Sequence, residues 1–477
     1  MSQTTTGSPP TVDLFYLTFN AGKAFISSSV FAKHIYNAFK ESARGVDSLP
    51  ELVAFSLQET SPLADAFRGP YFMNPYFSCY ESALNLAAAR YIADEEREHR
   101  PKDTPYTLVK TSNVSMTGIM LFARDPAALS NIKAAEVGFG AGDMANKGAV
   151  GLRLNFSKDS KVTELTFVST HLAAMEWNLE RRNKNWASLV SGLVFDNPRN
   201  IVDRDQANHG RNSEAQPLLF HPDTEKQLHD ISIYKPGSHL FVAGDLNYRL
   251  SKTSPPSDAV FPAMDSDSVD YYPRFLSRDQ LMAERRAGRT LHGLSEASIR
   301  FPPTYKLDIS KTQGDGSTPT LARIAKAAEE DEEVEWTFAT HRWPGWCDRV
   351  LYLDVPGWVD PHPDKQIKVM AYNCLPAVRT SDHRAVYLRA QVPVLSSQEL
   401  TPPDNVEHLT PDGLVDPRIK LPVAIEPDAW EHREAVKKWE YIIGWSLAMA
   451  QSKQSIIIVT TVLLVGLSAW WFTPRSS

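Results

Sequence analysis

From residue 11 to about 394, short apolar runs alternate with polar breaks that carry Gly or Pro, the pattern of many strands with helices between them. Residues 14–19, 52–57, 162–169, 240–243, 349–355 and 385–392 are expected strands, since most are β-branched or aromatic. Helices are expected over 30–43, 80–97 and 175–195, the last with charged residues on one side. The stretches 197–222, 251–273 and 309–335 read as loops, and the acidic run 329–333 as a solvated face.

Beyond this region the pattern changes. Seven prolines fall within 393–427 without apolar periodicity, so 395–429 is expected to be a Pro-rich, semi-extended linker. Trp430, Trp439 and Trp445 mix with Lys437 and Lys438, and a juxtamembrane helix is expected over 430–453; a helix packed back on the domain fits the same residues. Residues 454–474 carry no charge, and a helix of that length, at ~1.5 Å per residue, spans the ~30 Å hydrocarbon core. This predicts a C-terminal transmembrane helix. Lys437, Lys438 and Lys453 precede it and Arg475 follows it, a bias that places the rest of the chain in the cytosol as a tail-anchored protein.

Composition narrows the class. With 42% hydrophobic and 22% charged residues the chain is ordinary globular protein, and its length alone suggests about three domains. A formal charge of -7 opposes a broadly basic nucleic-acid surface while leaving room for a local basic pocket. Cys79, Cys347 and Cys374 lie far apart without Cys/His metal spacing, which argues against a disulfide framework or a zinc site.

Several expected strands end in a carboxylate, amide or imidazole followed by a turn, where mixed sheets commonly place their sites. These are Asn20 in LTFNAGK, Gln58 and Glu59 in FSLQET, His171 in VSTHLAA, and Asp245 and Asn247 in GDLNYR, while the tract before the last expected strand, SDHR, holds Ser381, Asp382 and His383. Asn20, Glu59, Asp245 and Asn247 are hard oxygen ligands of the type that binds Mg²⁺ and leaves positions for water and phosphate. Each alone is more often a cap or a salt-bridge partner. Cys347 beside Asp348 invites a nucleophile reading, but no Cys-x5-Arg string surrounds it, so it reads as packing.

Two further tracts, FPPTYK at 301–306 and RWPGWCDRVLY at 342–352, sharpen the picture. Taken in order, TFNAGK, SLQE, MANKGAV, THLAA, GDLNYR, FPPTYK, WCDRVL and SDHR resemble the recurring strings of the inositol polyphosphate 5-phosphatase family across residues 11–394. Ala145 stands where the family usually has Gly, and FNAGK where many members have a Trp-Asn-Val string, a form most similar to compact tail-anchored fungal members acting at the endoplasmic reticulum.

The resemblance implies one catalytic domain over 11–394, a four-layer α/β sandwich of the endonuclease/exonuclease/phosphatase (DNase I-like) type. It implies Mg²⁺-dependent removal of the 5-phosphate of phosphatidylinositol 4,5-bisphosphate, met as a lipid in a cytosolic leaflet. Glu59 would be the principal Mg²⁺ ligand with Asn20 beside it and Asp382 in support. Asp245 would orient and deprotonate the attacking water, and Asn247 would hold the phosphate or that water in line. His383, oriented by Asp348, and His171 would bind the transferring phosphoryl group. Lys147, Asn146, Tyr305, Lys306 and Arg342 would take the phosphates that are not cleaved, with Lys306 and Arg342 reading the 4-phosphate. A nuclease of the same fold and an inactive phosphoinositide-binding adaptor are the competing readings. FPPTYK with RWPGWCDR, the expected membrane span and the net acidity oppose the nuclease, and intact Glu59, Asp245, Asn247, Asp348 and His383 oppose the adaptor.

Overall fold

Alternation along the strands decides the layering. In β1 (Thr11–Asn20), Val12, Leu14 and Tyr16 point to one side and Phe15, Leu17 and Phe19 to the other, and all are buried. A strand apolar on both faces needs a cover on both, which a sheet packed between helices and a second sheet provides. The computed structural model describes residues 8–43, 48–95, 104–140, 144, 146–209, 222–309, 334–403 and 415–451.

The first sheet joins β1, β2 (Leu52–Gln58), β3 (Thr107–Val114) and β4 (Thr117–Ala123) to β13 (Lys368–Cys374) and β14 (Val386–Pro393), in the order β13-β14-β1-β2-β4-β3. The second joins β5 (Leu129–Gly138), β6 (Gly148–Lys158), β7 (Lys161–His171), β8 (Ser238–Asp245), β9 (Leu294–Ser295) and β12 (Asp348–Leu353), in the order β5-β6-β7-β8-β12-β9. A small separate ladder pairs β10 (Leu307–Ile309) with β11 (Trp336–Phe338). Leu14, Tyr16 and Leu121 of the first sheet meet Leu152, Phe167 and Phe241 of the second in the central core. On the outer face of the first sheet lie α1 (Ser28–Ser42) and α3 (Pro70–Glu95), through Phe31, Ile35, Tyr80 and Leu84; on that of the second lies α4 (Leu179–Gly192), through Trp186 and Leu189. The layers are therefore α/β/β/α, as expected.

The expected loop 197–222 contains a helix, α5 (Pro198–His209), and α6 (Pro222–Ile231) follows it; residues 210–221 lie outside the described residues. Only Ile201 and Val202 of α5 are buried apolar residues, too few for an apolar stripe, although Asn197 before Pro198 is a helix-start signal. Residues 251–273 are largely irregular and lead to α7 (Gln280–Arg286). Most of 309–335, including the acidic run, lies outside the described residues.

The expected C-terminal transmembrane helix requires correction. Among the described residues no helix is long and apolar enough to cross a membrane, and residues 454–474 lie outside them. The last described helix, α9 (Ala429–Gln451; α8 is the single turn Ser397–Leu400), carries Glu431, Arg433, Glu434, Lys437, Lys438 and Glu440. It docks on the domain. A Cβ at Gly444 would stand 2.7 Å from Phe67, in the last turn of α2 (Leu63–Arg68), and Arg433 bridges Glu440 and Glu136. The expectation of a tail-anchored protein rested on the uncharged segment and goes with it. Described parts of the 395–429 stretch also lie on the domain: Leu395 and Leu400 pack with Val355 and Val359, and Arg418 donates to the Asp354 carbonyl.

Two buried histidines make this fold acid-sensitive. His239 Nε2 lies 3.1 Å from the Pro393 carbonyl and His229 Nε2 2.9 Å from the Pro417 carbonyl, and burial pushes both down to about 4. Because the folded value lies below the ordinary 6.5, stability is whole above that pH and is lost as pH falls toward 4, by ~1.4 kcal/mol per pH unit per histidine. His239→Gln, which keeps a donor for Pro393, should flatten the acid-side fall of the urea midpoint. Parallel curves for the two proteins would refute this.

Candidate functional site

Strand register brings the chemistry-bearing residues to one edge of the sandwich. β1 and β2 are parallel with Asn20 opposite Gln58, β7 and β8 are parallel with His171 opposite Asp245, and β12 is antiparallel to β8 with Asp348 opposite Asp245. Gly244 permits this, because a Cβ there would collide with the Thr170 carbonyl of β7. Lys23, Glu59 and Asn247, at the turns after these strands, all adopt positive φ (66°, 46° and 58°), a conformation that costs non-glycine residues and clusters at functional sites.

Asp245 is the node. It is almost fully buried and accepts from Asn20 Nδ2 at 2.9 Å and from its neighbour's backbone, Asn247 N, at 3.1 Å. His171 Nε2 lies 3.2 Å and His383 Nε2 3.9 Å from Asp245 Oδ2. Burial opposes its charge, but His383 and His171 overrule burial and hold the carboxyl well below the usual carboxylate range. Lys147 Nζ lies 2.6 Å from His171 Nε2 and 3.5 Å from Glu59 Oε1, and burial pulls Lys147 down against the pull of Glu59 and Asp245. Burial, then Lys147, lower His171 as well, against the pull of Asp245 and Glu59. For Glu59 burial is outweighed by His171, Lys147 and Lys23, the last 3.2 Å away, and its carboxyl is lowered.

On the other side, His383 Nδ1 meets Asp348 Oδ2 at 2.9 Å, and Thr304 Oγ1 donates to the same oxygen at 2.7 Å. Burial would lower His383, but Asp348 and then Asp245 push it up to about 9, so it is a cation at neutral pH. Burial pushes Asp348 up, with His383 opposing. Ser381 ties this loop to β1 by donating to the Asn20 carbonyl at 2.6 Å and accepting from His383 N at 3.0 Å.

Among the described residues, two groups could hold a metal. Asp245, Asp348 and His383 offer ligand atoms within 4.8 Å of one another, all buried. A protonated imidazole does not ligate, so as a charged His383–Asp348 pair this cluster is suited to anion binding and proton chemistry. Glu59 and Asn20 fit a hard divalent cation better: Glu59 is ionised, and Asn20, having spent its N–H on Asp245, keeps a carboxamide oxygen whose bond from Gly22 N is a long 3.2 Å.

The basic wall is built by two laced segments. Gly345 exchanges backbone hydrogen bonds with Tyr305 at 3.2 and 2.8 Å, and Ala339 donates to the Lys306 carbonyl at 3.0 Å. The Tyr305 ring sits 4.5 Å from His383, and the Arg249 guanidinium lies 4.2 Å over Tyr305. Lys306 is ion-paired with Asp382, so Asp382, expected to support the metal, faces a lysine. Arg342 reaches Glu176 and Met175 rather than the Asp245 node, and Asn146 is exposed. Sequence reasoning gave no role to Lys23, Arg249, Thr304 and Ser381. All lie inside quoted motifs, but only folding shows that Lys23 pairs with Glu59 and that Arg249 donates to the Asn247 carboxamide oxygen.

A family model described as "Endonuclease/Exonuclease/phosphatase family 2" matches residues 17–389. Among curated proteins, inositol-1,4,5-trisphosphate 5-phosphatase 1 of Schizosaccharomyces pombe is 26% identical over 285 residues, 59% of this chain and 19% of that protein. Type II inositol polyphosphate 5-phosphatase 14 of Arabidopsis thaliana is 29% identical over 225 residues, 47% of this chain and 17% of that protein. The match therefore spans less than a quarter of the length of either relative. Among solved structures, the inositol polyphosphate 5-phosphatase domain of SpSynaptojanin, in complex with inositol (1,4)-bisphosphate and calcium ion, aligns with a TM-score of 0.49 and 18% identity over 93% of both chains.

Proposed function

The chain belongs to the endonuclease/exonuclease/phosphatase family 2 and, within it, to the inositol polyphosphate 5-phosphatases, and from this premise we propose that it hydrolyses the 5-phosphate of phosphatidylinositol 4,5-bisphosphate to give phosphatidylinositol 4-phosphate. The observation that carries the reading is a buried, ionised Asp245 with the His383 cation 3.9 Å away, a base and an anion-binding group side by side. Asp245 orients the attacking water and takes its proton. Asn247, fixed by its backbone bond to Asp245 and by Arg249, holds the water or the phosphate in line. His383 binds the transferring phosphoryl oxygens, and Asp348 keeps its ring oriented. Lys147 and His171 add an N–H-rich wall beside Glu59, while Tyr305, Lys306 and Arg342 receive the neighbouring phosphate. Glu59 and Asn20 would hold Mg²⁺, which, when bound, supplies neutralisation of phosphoryl oxygens and of the leaving alkoxide.

A phosphate-release assay across a panel of inositides, with and without metal, tests this. Release from phosphatidylinositol 4,5-bisphosphate should vanish in EDTA and return with Mg²⁺. Release that persists in EDTA would refute the metal assignment, and release from DNA but from no inositide would favour a nuclease.

A further inference from the structure

The connection between β7 and α4 carries a carboxylate that the reaction leaves unused. Glu176 is fully buried, and among the described residues neither of its carboxylate oxygens has a hydrogen-bond partner. A carboxylate in that condition is costly and persists only where another interaction offsets it. The cation it meets is Arg342, whose Nε lies 3.9 Å from Glu176 Oε1. That separation is within ion-pair range but too long for a hydrogen bond, so the carboxylate attracts the guanidinium without using up its donors.

The Glu176 side chain is fully enclosed and the backbone that carries it is clamped. Met175 before it sits at φ 77°, and the buried Arg182 donates from Nη1 to the Met175 carbonyl at 2.7 Å and the Ala173 carbonyl at 3.2 Å. Arg182 Nη2 is itself held by Gln280 Oε1 at 2.9 Å. The remaining contacts of Arg342 are weak: Nη1 donates to the carbonyl of its neighbour His341 at 3.2 Å, and Nη2 lies 3.6 Å from the Met175 thioether. Its side chain is 20% exposed, so part of the fork still faces outward.

We propose that Glu176 is a positioning residue: its buried charge, fixed by Arg182, aims the Arg342 guanidinium at the ring phosphate beside the scissile one and thereby sets the preference for inositides that carry that phosphate. This rests on the 5-phosphatase reading. The test uses the full chain and two soluble probes, inositol 1,4-bisphosphate and inositol 1-phosphate, compared by calorimetry in the wild type, Glu176→Gln, Arg342→Ala and the double variant.

Glu176→Gln should weaken inositol 1,4-bisphosphate roughly tenfold while changing inositol 1-phosphate by less than about twofold, and it should add little in the Arg342→Ala background, as coupled neighbours do. In turnover of phosphatidylinositol 4,5-bisphosphate, KM should rise by more than kcat falls. Equal weakening of both probes, or full additivity with Arg342→Ala, would overturn the proposal. If Glu176→Gln does not fold, Glu176→Asp, which keeps the charge but shortens its reach, should show the same difference between the probes to a smaller extent. A wild type that releases no phosphate from any inositide would overturn the 5-phosphatase reading, whereas the two-probe comparison still decides Glu176. Conversely, a wild type that hydrolyses inositides but does not distinguish the probes overturns the Glu176 assignment alone.

Discussion

Asp245→Asn should lower phosphate release at least ~10²-fold while lipid binding stays nearly intact, because loss of a general base commonly costs 10² to 10⁴. The substitution keeps the shape of a side chain that is almost fully enclosed, so the loss is chemical rather than steric. Asn20 at 2.9 Å and His171 at 3.2 Å share one oxygen of Asp245 while Asn247 N donates to the other at 3.1 Å, so whichever way the new amide turns its nitrogen faces a donor. Some loss of melting temperature is expected with the loss of rate. Turnover numbers and product-binding calorimetry on the same preparation separate the two: binding retained with turnover lost supports a base, and turnover retained removes Asp245 from that role.

The second large effect is at His383. Its proton is held by Asp348 and Asp245 up to about 9, above the ordinary 6.5, so the cation is present through neutral pH and is lost as the pH rises through about 9. Stability linked to that proton follows the same sign, being complete below 6.5 and gone above about 9. If the cation binds the transferring phosphoryl group, kcat/KM should fall on that alkaline limb. Asp348→Asn removes the largest of the raising influences, and it should shift the limb to lower pH and lower kcat on the order of 10²-fold or more, as loss of an orienting carboxylate does in His–Asp pairs. A limb at the same pH in both proteins would show that His383 does not limit the rate.

Much of the fold could be read from the chain, for a physical reason. Strands such as 14–19 and 52–57 lie between two covers, so they are apolar at nearly every position. Strands with partly exposed faces, such as β3 (TLVKTSNV) and β5 (LSNIKAAEVG), lack that run and escaped notice. The helix expected from residue 80 starts at Pro70 instead, because its first turns contain Pro75 and four aromatic residues, Tyr71, Phe72, Tyr76 and Phe77, which resemble a loop until their packing is known. For the site, strand ends revealed Asn20, Glu59, His171 and Asp245. Partnership was not legible: that Asp382 serves Lys306, that Glu59 is flanked by Lys23 and Lys147, and that Arg342 leans on Glu176 are consequences of tertiary packing. Hydropathy alone suggested a membrane anchor over 454–474, and no described helix carries it.

The central claim is that the Asp245–His383 edge removes one particular phosphate from an inositide. The most direct measurement is identification of the lipid product formed from phosphatidylinositol 4,5-bisphosphate with Mg²⁺ by the wild type and by Asp245→Asn. Phosphatidylinositol 4-phosphate from the wild type and almost none from the variant is the expected result. Phosphatidylinositol 5-phosphate as the product, or equal yields from both proteins, would contradict it.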